Sequence, residues 1–136
     1  MNQKNTMLIR ALFALVGLYD LLLGAAFLFA GPAIFTRMAV TPPNHWGYIH
    51  FPAAILVIFG LMFLAVARKP AANRNLIPFG ILLKVAYCAV VLYPHLAGGG
   101  VPGIWLIFAG LDATGGILMT LAWVSLAGSR GRTQTP

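Results

Sequence analysis

Apolar residues run along this chain in four long blocks, and the stretches between them are short and rich in proline, glycine, asparagine and basic residues. Crossing the hydrocarbon layer takes a helix of roughly 20 mostly apolar residues. The pattern therefore predicts four spans, Leu8–Ala30, Trp46–Ala67, Leu76–Tyr93 and Pro102–Leu126. The expected fold is all-α, an antiparallel four-helix transmembrane bundle forming one domain over residues 1–136, with a flexible polar tail at 128–136.

The breaks carry their own chemistry. Gly31-Pro32 is expected to close the first span, and Thr41-Pro42-Pro43-Asn44 to lead stiffly into the second. Asn75 is a cap candidate for the third span, where Pro78 falls in the first turn and needs no donor; Pro94 and Gly98-Gly99-Gly100 should stop it. Pro52 lies inside the second span and is expected to kink it.

Composition supports lipid as the solvent. The chain is 60% hydrophobic and 8% charged, whereas a soluble domain carries about 25% charged residues to keep its surface wet. The net charge of +7 does not indicate nucleic acid, because the basic residues flank apolar segments and form no folded basic face. They report topology instead. Lys4, Arg10, Arg68, Lys69, Arg74, Arg130 and Arg132 fall on one side, while only Arg37 falls on the other and Lys84 lies within the third span. Basic loops are retained on the cytoplasmic side, so both termini are expected there. The first span would be too long for a signal-peptide core and would hold Asp20 at its centre, and it is read as a retained helix. Trp46, Tyr48, Tyr93, Trp105 and Trp123 fall near span ends, where amphipathic rings sit at headgroup level.

Only two acidic residues exist, Asp20 and Asp112, and both fall inside spans. At a rise of about 1.5 Å per residue, Asp20, Asp112 and Lys84 lie about 18, 21 and 12 Å from the cytoplasmic ends of their spans. An ionisable group facing lipid at mid-bilayer costs about 2.5–3.5 kcal/mol on insertion scales, so all three are expected to turn inward and meet. One ammonium cannot neutralise two carboxylates, and one Asp is expected to keep or share a proton. Tyr19, Tyr87, His50 and Thr114 are candidates to complete a buried ligand or proton site. Asp20 and Asp112 are each followed four residues later by glycine, Gly24 and Gly116; with Gly17 and Gly115 these form small-residue stripes that predict close packing of the first and fourth spans.

Other chemistries find little support. His45, His50 and His95 could together hold zinc or copper, or as a pair haem iron, but interfacial histidines are usually only solvated, so no metal site is assigned. Nucleotide, P-loop, HExxH, CxxC and GxSxG fingerprints are absent, and the single cysteine, Cys88, reads as packing. An enzyme is not the favoured reading, and the residues name no cofactor.

Gly17-Leu18-Tyr19-Asp20 with Gly24, the connection from Arg68-Lys69-Pro70 through Asn73 and Asn75, and Gly80-Ile81-Leu82-Leu83-Lys84 resemble small uncharacterised four-helix bacterial membrane proteins, and look loosely like the DoxX-like group. The resemblance implies a bacterial inner (cytoplasmic) membrane and, for some members, thiosulfate or quinone redox chemistry. It transfers no catalytic residue, because only Cys88 and the outer histidines offer a redox site. The sequence is thus read as an accessory or transport-related multi-pass protein, proton-linked through Asp20, Lys84 and Asp112. Its expected partners are the bilayer and either a second copy of itself or a larger membrane complex. The alternatives are a structural subunit whose polar site only pins the helices, and a DoxX-like quinone- or haem-associated protein.

Overall fold

The computed structural model describes residues 3–128. It contains four long helices: α1 (Gln3–Arg37), α2 (Gly47–Arg68), α3 (Ile77–Leu96), preceded by a 3-10 turn at Arg74–Leu76, and α4 (Gly103–Gly128). No strand occurs among the described residues. The polar tail expected at 128–136 lies almost wholly outside them.

All four helices are long and apolar enough to cross a membrane. Between 22% and 28% of each span's most apolar window is buried inside the chain, so most of these side chains point outward. Phe29, Leu96, Val90 and Phe51 are among the large apolar groups left exposed. Such a surface suits an apolar surrounding such as acyl chains and not water.

α1 does not end at Gly31-Pro32 as expected. The backbone leaves helical geometry at Ala30 (φ −127°, ψ 15°), and the helix then resumes to Arg37. Pro32 removes one backbone donor and crowds the preceding turn, which accounts for the kink. The last turn persists because Phe35 is buried, with its ring 5.4 Å from Trp46, 5.9 Å from Trp105 and 6.4 Å from Phe27. Tertiary packing overrides the local stop signal.

α3 likewise runs past Pro94 to Leu96 and is closed by the glycines. Gly98 adopts φ +82°, a left-handed conformation open to glycine, and Gly99 N–H donates to the Pro94 carbonyl at 2.8 Å. Pro52 sits inside α2 without ending it. The α3 start has proline in its first turn as expected, but no side chain caps it. Asn73, not Asn75, makes the capping contact: its side-chain amide donates to the Ala65 carbonyl at 2.9 Å, at the end of α2.

The helices associate as two pairs. α1 packs extensively on α2 and α3 on α4, while α1 meets α4 and α2 meets α3 over much smaller areas. The buried stripe of α1 runs Ile9, Phe13, Gly17, Asp20, Gly24, Phe27, Gly31 and Phe35, at spacings of three and four. Its glycines admit α2: a Cβ on Gly24 would lie 2.6 Å from the Ala53 carbonyl oxygen, and one on Gly17 would lie 2.9 Å from that of Gly60. The small-residue stripe therefore serves α1 and α2, which corrects the expectation of tight α1–α4 packing. Nothing lies within 4 Å of a Cβ built on Gly115, and Gly116 meets only the stem of Lys84.

Two apolar clusters flank the middle. One gathers Ile9, Phe13, Phe63, Val66, Ile77, Met119 and Leu126 from all four helices. The other gathers Phe27, Phe35 and Ala53 with Trp46, Ile49, Trp105 and Phe108 packed against them. Trp46 and Trp105 thus belong to an internal aromatic cluster, whereas Tyr48 and Tyr93 are exposed near helix ends. Arg10 Nε–H donates to the Ala67 carbonyl at 3.2 Å, and Arg74 Nε–H to the Trp123 carbonyl at 3.0 Å. Arg10 thus sits at the C-terminus of α2, where unpaired carbonyls and the helix dipole favour positive charge, and Arg74 ties the turn before α3 to the last part of α4.

Candidate functional site

Between the two apolar clusters, Lys84 of α3 reaches both acidic residues. Its Nζ donates to Asp20 Oδ1 of α1 at 2.6 Å and to Asp112 Oδ1 of α4 at 2.8 Å. Asp20 is fully buried, Lys84 is 2% exposed and Asp112 is 6% exposed, so water does not compete for these bonds. The triad joins three helices and ties the α1–α2 pair to the α3–α4 pair at mid-length.

Local sequence explains how the groups reach one another. Asp20 lies one turn from both Gly17 and Gly24, on the face that packs inward. Lys84 lies one turn after Gly80, where a Cβ would run into the Phe63 ring. On α4, Gly116 lies one turn after Asp112, and a Cβ there would sit 3.5 Å from the Lys84 Cβ, an ordinary contact distance. The two Asp-x-x-x-Gly segments therefore differ: Gly24 is demanded by the close approach of α2, whereas Gly116 stands beside the Lys84 stem with room for a methyl group.

Tyr19 forms a wall of the site, with Lys84 Nζ 5.2 Å from its ring centroid, a cation–π contact worth about 0.5–2 kcal/mol depending on desolvation. Its hydroxyl and Asp20 Oδ2 are buried side-chain oxygens without a hydrogen-bond partner. Buried polar atoms are rarely left so, and both residues border empty space. A cavity of about 460 Å³ opens beside the triad, with Tyr19, Asp20, Tyr87 and Asp112 at its polar end. Phe27, Trp105, Phe108 and residues of α2 enclose the remainder, which is almost entirely apolar.

The other candidates divide. Tyr87 lines the cavity with Tyr19. Thr114 does not join the site: it is exposed, and its hydroxyl donates to the Gly110 carbonyl of its own helix at 2.9 Å. His50 is also exposed, stacked on Trp46 at 6.2 Å, and does not line the cavity. His45 Nδ1 accepts from the Gly47 N–H, and His95 is exposed. Among the described residues, no three His, Cys, Asp or Glu side chains are placed to share a metal ion. Cys88 Sγ–H donates to the Ala109 carbonyl at 3.3 Å, joining α3 to α4.

The aromatic half of the cavity had no sequence signal that set it apart from interfacial rings. Phe27 and Phe108 lie within apolar blocks, and Trp105 has the position of a headgroup anchor. No family model matches the chain, and neither does any curated protein or solved structure.

Proposed function

We propose that this is a multi-pass protein of a bacterial inner membrane, an antiparallel four-helix bundle with both termini cytoplasmic. In this reading Asp20, Lys84 and Asp112 form a proton-linked binding site with an accessory or transport-related role. The observation that carries the proposal is the buried Lys84 bridge to two carboxylates at the end of an apolar cavity. Intramembrane ionisable groups are costly and often mark proton relays or substrate paths. Two carboxylates against one ammonium give −2 + 1 = −1, and in a medium of low dielectric the balance is restored by a retained proton or by a bound cation.

Antiparallel packing is supported by the pairing of Gly17 with Gly60 and of Gly24 with Ala53, where residue numbers rise on one helix as they fall on the other. Orientation is supported by the basic residues, seven on one side and one on the other. Reporter fusions at each connection test it.

Infrared difference spectroscopy of purified protein tests the site. Wild type should show a protonated-carboxyl band at neutral pH, and Asp20→Asn or Asp112→Asn should remove it while the protein still assembles. Absence of that band in folded wild type defeats the proton-linked reading. A purely structural role is favoured by the way Lys84 ties the helix pairs together; it requires the Asn variants to fail in assembly. A DoxX-like quinone-associated role is favoured by the apolar cavity, and it requires purified protein to carry a lipid-soluble cofactor. Membership in a homo-oligomer or larger complex is tested by mass measurement in native membrane discs.

A further inference from the structure

Resting on the proton-linked reading above, we infer that the cavity takes a lipophilic organic cation, one positive charge on an aromatic or aliphatic body, in exchange for the triad's proton. Charge complementarity points to this class. With both carboxylates ionised the triad carries −1, and Lys84 occupies only one oxygen of each Asp, Oδ1 in both cases. Asp20 Oδ2 remains buried and without a partner. Asp20 and Asp112 both line the cavity and Lys84 does not, so a cation there meets the carboxylates and not the ammonium.

The walls fit the body of such a ligand. Phe27, Trp105 and Phe108 stand together, with ring centroids 5.8–6.5 Å apart, and supply the π faces that attract desolvated cations. The volume of about 460 Å³ falls in the range of small-molecule sites, roughly 300–1,000 Å³. Exposed Phe51 and Pro52 bring the lining to the outer face of α2, which in a bilayer faces acyl chains, so a membrane-partitioned ligand can enter sideways.

The groups around the exchanged proton are few. α1 presents Asp20 and Tyr19, α3 presents Lys84, Tyr87 and the half-buried Cys88, α4 presents Asp112, and α2 lines the cavity with apolar residues only. The exchange breaks one carboxyl O–H bond. The proton goes to bulk water, and the ligand's charge replaces it against the carboxylate.

Tetraphenylphosphonium and the smaller benzyltrimethylammonium are suitable probes because neither can titrate. Calorimetry on the full-length protein in lipid discs, in two buffers of different ionisation heat, counts the protons released. The expected result is saturable binding of at least one cation with about one proton released, and binding that weakens up to tenfold per pH unit as pH falls through the range where the proton is held. Tetraphenylborate, equal in shape and opposite in charge, should bind at least tenfold more weakly than tetraphenylphosphonium. Asp20→Asn and Asp112→Asn should each weaken cation binding at least tenfold. Leu56→Trp, which fills the cavity without touching the triad, should abolish binding while keeping the infrared carboxyl band, and it guards against an Asn variant that fails to fold.

Failure of both cations to bind overturns the inference, as does equal binding of the borate or binding without proton release. If the carboxyl band persists in wild type in those cases, the site reading of the preceding subsection stands and only the ligand class falls. If the band is also absent, both fall.

Discussion

Replacing Lys84 with methionine tests the energetic role of the triad most directly. The substitution keeps the length and apolar stem of the side chain and deletes the ammonium, removing the bonds of 2.6 and 2.8 Å. Asp20 then loses its hydrogen-bond partner, since its second oxygen has none. A neutral interhelical hydrogen bond in a membrane protein contributes only about 0.6 kcal/mol on average. These bonds are ionic and nearly free of water, and unpairing a buried charge costs about 3–5 kcal/mol. The ionic estimate governs here, because the unfolded helices in a micelle can hydrate their carboxylates while the folded protein cannot. We therefore expect Lys84→Met to destabilise by about 3–5 kcal/mol at alkaline pH. The deficit should shrink in acid, where both carboxyls are neutral and nothing charged is left unpaired. Detergent-induced unfolding followed by tryptophan fluorescence, across a pH series, reads both effects. The triple variant Asp20→Asn, Lys84→Met, Asp112→Asn should recover at least half of the loss, since amides need no counter-charge. A deficit under about 1 kcal/mol at every pH would falsify the claim that the triad holds the helix pairs together.

Further expectations follow from individual contacts. Gly24→Val places a side chain against the Ala53 carbonyl oxygen, 2.6 Å from the Cβ position; backbone cannot give way as a side chain can, so a loss of about 1–3 kcal/mol is expected in the same unfolding assay. Arg74→Ala removes the bond to the Trp123 carbonyl and a guanidinium 4.5 Å from the Trp123 ring centroid. It should cost about 1–2 kcal/mol, and Arg74→Lys should recover only part because it lacks the planar stacking surface. Thr114→Ala and His50→Ala touch neither triad nor cavity, so each should stay within about 0.5 kcal/mol of wild type and leave the infrared carboxyl band unchanged.

Much of the architecture was legible because the bilayer permits few solutions. Four apolar blocks can cross it only as helices, and Asp20, Lys84 and Asp112 had no other charged groups at comparable depth. Features set by tertiary packing were less visible. Gly31-Pro32 carries a local stop signal, yet Phe35 finds an aromatic pocket that keeps another turn helical. Glycines on the first and last spans suggested that these two should meet, but a small residue says only that some backbone can come close, and α2 is the one that does. Thr114 illustrates a further ambiguity. Two positions after Asp112 it lies on a different face of the helix, and a threonine hydroxyl satisfies itself on the carbonyl one turn earlier. The cavity left no mark in the residue pattern, because an unfilled volume arises from helix separation and the same aromatic residues could equally have filled it.

The distribution of close packing gives the triad its importance. Within the α1–α2 pair, backbone meets backbone through Gly17, Gly24 and Gly60, so that pair has little freedom to slide. Between the pairs, contact is concentrated in three places: the cluster around Phe63 and Met119, the rings around Phe27 and Trp105, and the Lys84 bridge between them. The first two are apolar contacts among groups that acyl chains solvate almost as well, since burial away from lipid brings no hydrophobic gain. The bridge differs, because separating its charges in hydrocarbon has no equivalent substitute. The charge state of Asp20 and Asp112 thus acts on the polar tie between the two helix pairs, at the wall of the cavity that both residues line. On the proposed reading, occupancy of the cavity and the fit of the pairs are coupled through Asp20 and Asp112, which line the cavity and also hold Lys84.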